Sequence, residues 1–185
     1  ASGMKVALLP KPTRGQAVHA VLTLDFGDVA SLSGQGALPA LVAAMLDEGT
    51  ATLDRQQIRD RLDQLRTELA ISGDGGRATL SLASRREQLP AAIALVGEIL
   101  RRPSFPPAVL EEQRNQALTS VERQRKEPES VVANALDRHA DPYRRGDPRH
   151  ARSFDEVVED LRAVRAEQLG EFHRRFYGAS QAEFG

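Results

Sequence analysis

Few side chains in this sequence could do metal or nucleophilic chemistry. There are four histidines, His19, His139, His150 and His173, and no cysteine. A zinc site needs three or four ligands converging at about 2 Å, and no two of these histidines share a helix-face spacing. His139 with Asp141 or His150 is the one grouping that could be drawn into a metal clip. The plainer reading puts His139 and His173 on polar helix faces and His19 on the outward face of a strand. Ser, His and Asp all occur, but a triad is a spatial arrangement and nothing local marks a nucleophile. There is no Gly-x-x-x-x-Gly-Lys-Ser/Thr loop. Gly73-Asp74-Gly75-Gly76 follows one strand and enters another, so it is no dinucleotide fingerprint.

The richest charged stretch is the loop Asp141 to Arg152, with four Arg, two Asp, two Pro and one Gly. Within it, Tyr143-Arg144-Arg145-Gly146-Asp147 is the candidate contact surface for substrate or partner. Arg forks pair with carboxylates, and loops often carry recognition. The competing reading is a solvated connection whose Arg side chains pair with neighbouring Asp. The Arg- and Glu-rich segment Glu111 to Glu129 reads as a wet helix face.

The 185 residues, 41% hydrophobic and 28% charged, suit one ordinary folded domain. The net charge of −1, with 4% aromatic residues and no Trp, argues against nucleic acid as a partner. The absence of Cys excludes disulfides and thiolate chemistry, and fits either a cytosolic or a periplasmic compartment. The start, Ala1-Ser2-Gly3-Met4-Lys5, has no signal-peptide pattern. If the intact protein is exported, that address lies outside this sequence. The longest apolar run, Ala37 to Leu46, is too short to span a membrane, so no membrane insertion is expected.

The elements follow from periodicity. Lys5 to Leu9 predicts a strand stopped by Pro10 and Pro12. Ala17 to Phe26 predicts a second, with Val18, Ala20, Leu22 and Leu24 on one face. A small-residue loop, Gly27 to Gly36, leads into a buried helix over Ala37 to Leu46. Pro39 sits in its first turn, and Gly49 is placed to close it in a left-handed conformation. Asp54 and Gln57 form a capping box for a helix with the stripe Ile58, Leu62, Leu65, Leu69. Leu69 and Ile71, then Ala78, Leu80 and Leu82, alternate as a hairpin. Ser84 with Glu87 suggests a second capping box, before a helix carrying Leu89, Ile93, Val96, Ile99 and Leu100. Pro106-Pro107 opens a long helix to about Lys126, with Leu110, Ala117 and Val121 inward. Pro128 starts a helix carrying Val131, Val132, Ala135 and Leu136. Ser153 and Glu156 cap a short helix, Ala166 to Tyr177 forms the last, and the tail begins a strand. Together these predict an α+β fold: a mostly antiparallel sheet with helices packed on one face.

The apolar helix ends in Met45-Leu46-Asp47-Glu48-Gly49-Thr50. This resembles the Met-Leu-Phe-Lys-Gly-Thr that follows the inverted zinc motif of the pitrilysin/insulinase-like metallopeptidases. Other features follow in that family's order. They are the Phe26-Gly27-Asp28 and Ser31-Leu32-Ser33-Gly34 lead-in, the Pro103-Ser104-Phe105 break, the Asp141-Pro142-Tyr143 loop and the run from Phe172-His173 to Phe176-Tyr177-Gly178. The resemblance covers nearly the whole sequence. In catalytic members a His-x-x-Glu-His stands immediately before the Met. The two His hold zinc and the Glu activates its water. The matching positions here are Ala40, Ala43 and Ala44. A third ligand, a Glu six residues after an Arg, falls at Ser120 when counted from Arg114, and Glu122 points to a different helix face.

The resemblance therefore implies a non-catalytic module, the first domain of the second half of such a protein. Its fold would be the pitrilysin/mitochondrial processing peptidase-like α+β module. Residues 1–185 would form a single module, a fragment of a longer multi-module chain. It would hold no catalytic or metal residue, since Ala40, Ala43, Ala44 and Ser120 are degenerate. Zinc would sit in a partner catalytic half, in the same chain or in a paired subunit. This module would build the chamber wall, dock to that half and help hold a peptide substrate. A periplasmic address is compatible with the family. The other reading is a structural or assembly subunit with no link to proteolysis, as in the scaffolds of a respiratory complex. An enzyme using unrecognised residues has no motif behind it.

Overall fold

Alternation of side chains decides the sheet. The computed structural model describes residues 3–11 and 13–185. Its strands are β1 (Lys5–Val6), β2 (Ala17–Asp25), β3 (Glu68–Asp74), β4 (Arg77–Arg85) and β5 (Ala182–Phe184). They lie in the order β1-β5-β2-β4-β3, antiparallel throughout except for the parallel β1–β5 pair. Ala20, Leu24, Ala78, Leu80 and Leu82 point to one face and are buried. The helices are α1 (Val29–Leu32), α2 (Leu38–Ala44), α3 (Arg55–Gln64), α4 (Leu89–Arg101), α5 (Pro107–Gln124), α6 (Pro128–Ala140), α7 (Phe154–Ala163) and α8 (Ala166–Phe176). The core between that sheet face and the helices includes Val42, Met45, Leu46, Ile58, Ile99, Leu110 and Leu169. The expected α+β architecture, a mostly antiparallel sheet with helices on one face, is the one present.

The opposite face is bare and built of small or polar side chains. Register sets it out in rows: His19, Ala83 and Glu68; Val21, Ser81 and Ala70; Thr23, Thr79 and Ser72. β3 pairs only with β4, so its outer edge is open.

Several local expectations are corrected. The first strand ends at Val6 rather than Leu9, because its partner β5 is only three residues long; Leu8 and Leu9 stand exposed. Pro12, expected to stop it, lies outside the described residues. The 27–36 loop contains a one-turn helix, α1, capped reciprocally by Asp28 and Ser31. Gly49 is not in the left-handed helical region but at φ 156°, ψ 152°, after a 3-10 turn over Leu46–Glu48. A Cβ there would sit 2.6 Å from Ser104 Oγ. Leu69 belongs to β3 and not to the helical stripe, since α3 ends before Arg66, whose φ is 47°. The Ser84–Glu87 cap does not form. Ser84 is still in β4, its hydroxyl 2.7 Å from Thr67 Oγ1, and α4 starts at Leu89 with Pro90 in its first turn. On α4, Leu95 fills the core while Ile93 faces solvent. The Asp54–Gln57 and Ser153–Glu156 boxes form as expected.

Candidate functional site

α2 is the apolar helix that the sequence marks, and its two faces differ sharply. Leu41, Val42, Met45 and Leu46 anchor it in the core. Ala40 and Ala44, four residues apart, are exposed on the same side. Ala43 is 1% exposed and lies against β3, where a Cβ added to Gly73 would come within 2.6 Å of the Ala43 Cβ. Glycine at 73 is what lets helix and strand approach so closely. Ser120 is half-buried on α5, with Arg123 Nη2 3.4 Å from its hydroxyl. An alanine methyl donates no lone pair, so α2 offers a metal nothing to bind. Among the described residues no group of three or more His, Asp or Glu could hold a metal ion. The donor set does not fit a zinc centre.

The stretch that closes α2 has a structural task. Glu48 is buried and accepts from Gln113 Nε2 at 2.9 Å, and its other oxygen meets Arg55 Nε at 2.5 Å. Burial pushes its carboxyl above the usual range, with Arg55 opposing. Thr50 Oγ1 donates to Glu98 at 3.0 Å and accepts from Leu53 N at 3.0 Å. These contacts tie the end of α2 to α3, α4 and α5. Arg114, the residue from which the ligand position was counted, also holds structure together. Its guanidinium donates to Leu161 O at 2.9 Å and to Val164 O at 2.5 Å, capping the C-terminal end of α7.

The charged loop folds back on α7 and borders a cleft of about 220 Å³, lined by Gly36, Pro39, Asp74, His150 and Asp160 among others. Its charges are largely spent within the molecule. Arg145 Nη2 meets Glu159 at 2.6 Å and Asp160 at 4.0 Å. Arg149 forks onto Asp147 at 2.8 and 2.9 Å and stacks 4.0 Å from the Tyr143 ring centre. The hydrogen bonds to Arg149, chiefly those from its side chain, hold the Asp147 carboxyl down at about 2. Arg144 is exposed and has no side-chain partner among the described residues. The expected pairing of Arg with neighbouring Asp thus holds for Arg149, whereas Arg145 reaches α7.

Neither metal-clip grouping, His139 with Asp141 or His139 with His150, forms: His139 stays exposed, and it is His150 and Asp141 that come together. His150 Nδ1 lies 2.6 Å from Asp141 Oδ2, and Nε2 lies 3.4 Å from Glu156 Oε2. Asp141 also accepts from Tyr143 N and Ala151 N at 2.8 and 2.9 Å. Burial pulls the imidazole pKa down, but the hydrogen bond to Asp141 and the nearby Glu156 carboxylate outweigh it, and the net shift is upward from 6.5. A raised folded pKa gives stability that is complete below the unfolded value and is lost as pH rises through the folded one. His150→Gln is therefore expected to lower stability more in acid than in alkali. Urea unfolding well below and well above pH 6.5 checks this; a loss equal at both would remove His150 as a charged staple.

His173 departs from expectation. It is 9% exposed, its Nε2 2.8 Å from Leu100 O, and its ring packs between Phe105 and Tyr177. Burial holds its pKa below 6.5. The α8 pattern Leu169, Phe172, Phe176 placed the core stripe, and His173 borders it one residue after Phe172. That adjacency was the available signal.

A one-sided α+β module with an open sheet face, built around a short buried helix that lacks donors, defines the class of protein. The profile of the insulinase family, peptidase family M16, matches residues 9–149. The chain belongs to that family. Among solved structures, the peptidase M16 inactive domain from Pseudomonas fluorescens is 22% identical, with a TM-score of 0.79 over 98% of this chain and 42% of that one. A protease from Helicobacter pylori is 12% identical, with a TM-score of 0.82 over 99% of this chain and 43% of that one. Pitrilysin is 16% identical, with a TM-score of 0.71 over 99% of this chain and 20% of its own. The chain thus spans less than half of each. No curated protein sequence matches it. Among the described residues no helix is long and apolar enough to cross a membrane.

Proposed function

We propose that this chain is a non-catalytic module of an insulinase-family peptidase. Residues 1–185 form one module of a longer assembly, and a partner half, in the same chain or a paired subunit, carries the zinc. The observation that carries the reading is α2: Ala40 and Ala44 face outward with no donor, and Ala43 is packed against β3. These positions, with Ser120, correspond to the ligands and base of catalytic relatives. The helix keeps its place and has lost its chemistry. The inactive domain among its structural neighbours supports the same reading.

The module's contribution is a surface. The bare face of small side chains around Val21, Ser81 and Ala70 forms part of a chamber wall. The open edge of β3 offers unpaired backbone groups to an extended peptide, which can add as a further strand. Arg144 and Tyr143 supply contact at the rim, while Arg145 holds their loop to α7.

Two readouts on the isolated chain test this. Metal analysis after zinc loading is expected to find no stoichiometric zinc. Titration with an unstructured peptide is expected to shift the amide resonances of β3 and of the bare face. One zinc per chain, or peptide shifts confined to the helical side, would overturn the proposal.

A further inference from the structure

The loop between α6 and α7 is tied at its base and preformed along its length. The Asp141 carboxylate is 5% exposed and accepts from Tyr143 N at 2.8 Å and from Ala151 N at 2.9 Å, so it clamps both ends of the loop. Between them, Asp147 N donates to Arg144 O and His150 N to Asp147 O, each at 3.0 Å. Arg149 adds its fork onto Asp147 and its stack on Tyr143. Residues 144–149 are thus a single preformed piece. They contribute one wall of the cleft, together with Gly34, Gly36 and the Asp74–Gly75 turn.

One buried contact and a few exposed ones hold this piece to the body. Gly146 O accepts from Gly34 N at 2.8 Å and from Ser33 Oγ at 3.1 Å, and Arg145 pairs with Glu159 in the open. An exposed ion pair of that kind contributes little. The buried contact is His150, whose side chain is 16% exposed. Its Nδ1 faces Asp141 Oδ2 at 2.6 Å and Tyr143 O at 3.2 Å, while Nε2 is buried and faces Glu156 Oε2 of α7 at 3.4 Å. Only the cation carries an N–H on both ring nitrogens. Either neutral tautomer sets a lone pair against a carboxylate oxygen, away from water. The remaining charges nearby do not reverse this. Asp147 adds another negative charge, and Arg145, Arg149 and Arg152 are engaged with Glu159, Asp147 and Asp160.

We propose that residues 144–149 are a flap over the cleft, hinged at Asp141, which stays shut on α7 while His150 is a cation and swings open when the imidazole loses its proton. The upward shift of that imidazole fits a shut state that holds the proton. A shut state with the higher pKa is favoured in acid and loses ground as pH rises above 6.5. Acid closes the cleft and alkali exposes it. This inference does not rest on the peptidase reading.

Amide hydrogen exchange of the whole chain, followed by NMR from about pH 5 to pH 9 beside the His150 ring resonances, tests this. The Gly34 amide, bonded to the tip of the flap, reports opening. Corrected for the intrinsic pH dependence of exchange, its opening is expected to rise as His150 titrates, by up to about tenfold per pH unit between the ordinary and the raised pKa. The Leu161 amide and the core are expected to stay protected. Glu156→Gln is expected to abolish the pH dependence and keep the flap shut, because the amide N–H can donate to neutral Nε2 and Gln serves equally at the third position of the cap. His150→Ala is expected to leave the flap open throughout. Gly34 protection indifferent to the titration of His150 overturns the proposal, as does a flap that stays shut in His150→Ala. A loss shared equally by α7 and the core also overturns it, since that is general unfolding, and so does wild-type pH dependence in Glu156→Gln.

Discussion

Ala43→Glu is expected to unfold the chain or bring it to the edge of unfolding. The site is 1% exposed, and its methyl already fills the space above Gly73. A glutamate there must either bury a carboxylate with no partner, at a cost of several kcal/mol, or push α2 off β3. Native stability is only about 5–15 kcal/mol in all, so either outcome removes a large part of it. Ala40→His and Ala44→His fall on exposed positions and should change stability by no more than about 0.5 kcal/mol. Urea unfolding of the three variants checks the contrast. Equal stability of all three would mean that Ala43 is not held against the strand. The same contrast implies that a His-x-x-Glu-His cannot simply be written across Ala40, Ala43 and Ala44: the middle position is packed against β3.

Phe26→Ala should cost about 3–5 kcal/mol. Phe26 sits at the end of β2 and is 7% exposed. Its ring lies 5.8 Å from Phe172, edge to face, 5.9 Å from Phe176 and 5.2 Å from Tyr177. It is thus the joint through which the sheet grips α8. Truncation removes the ring contacts and leaves a cavity lined by rigid aromatics that cannot close over it. Phe26→Leu keeps most of the volume and should lose clearly less. Thermal or urea unfolding separates the two. Equal losses would place the energy in ring-specific contacts rather than in filled volume.

Local signals in the sequence located most elements. The capping boxes at Asp54 and Ser153 are read correctly because a cap is made by residues three apart and depends on little else. The box at Ser84 fails because β4 runs on through it, and pairing with Thr67 across the sheet outweighs a possible local cap. The hairpin was legible from alternation around Gly75 and Gly76. Two features were not legible. His173 is polar by type, yet tertiary contacts from Phe105, Tyr177 and Leu100 bury it. The valines and leucine of α6 obey helical spacing, but spacing tells which residues share a face and not whether that face turns inward. At the candidate site, the sequence marked α2 and the loop carrying Tyr143, Arg144 and Arg145. The close fit of Ala43 on Gly73, and the reach of Arg145 to α7, needed the assembled structure.

Hydrolysis of a peptide by the zinc-bearing partner half, alone and then mixed with this chain, tests the central claim most directly. The chain should be inert by itself with zinc present, and should raise the partner's rate by completing the surface on which the peptide is held. Peptidase activity in the isolated chain would contradict the non-catalytic reading. A partner rate left unchanged, with no binding between the two, would contradict the chamber role and favour a structural or assembly subunit.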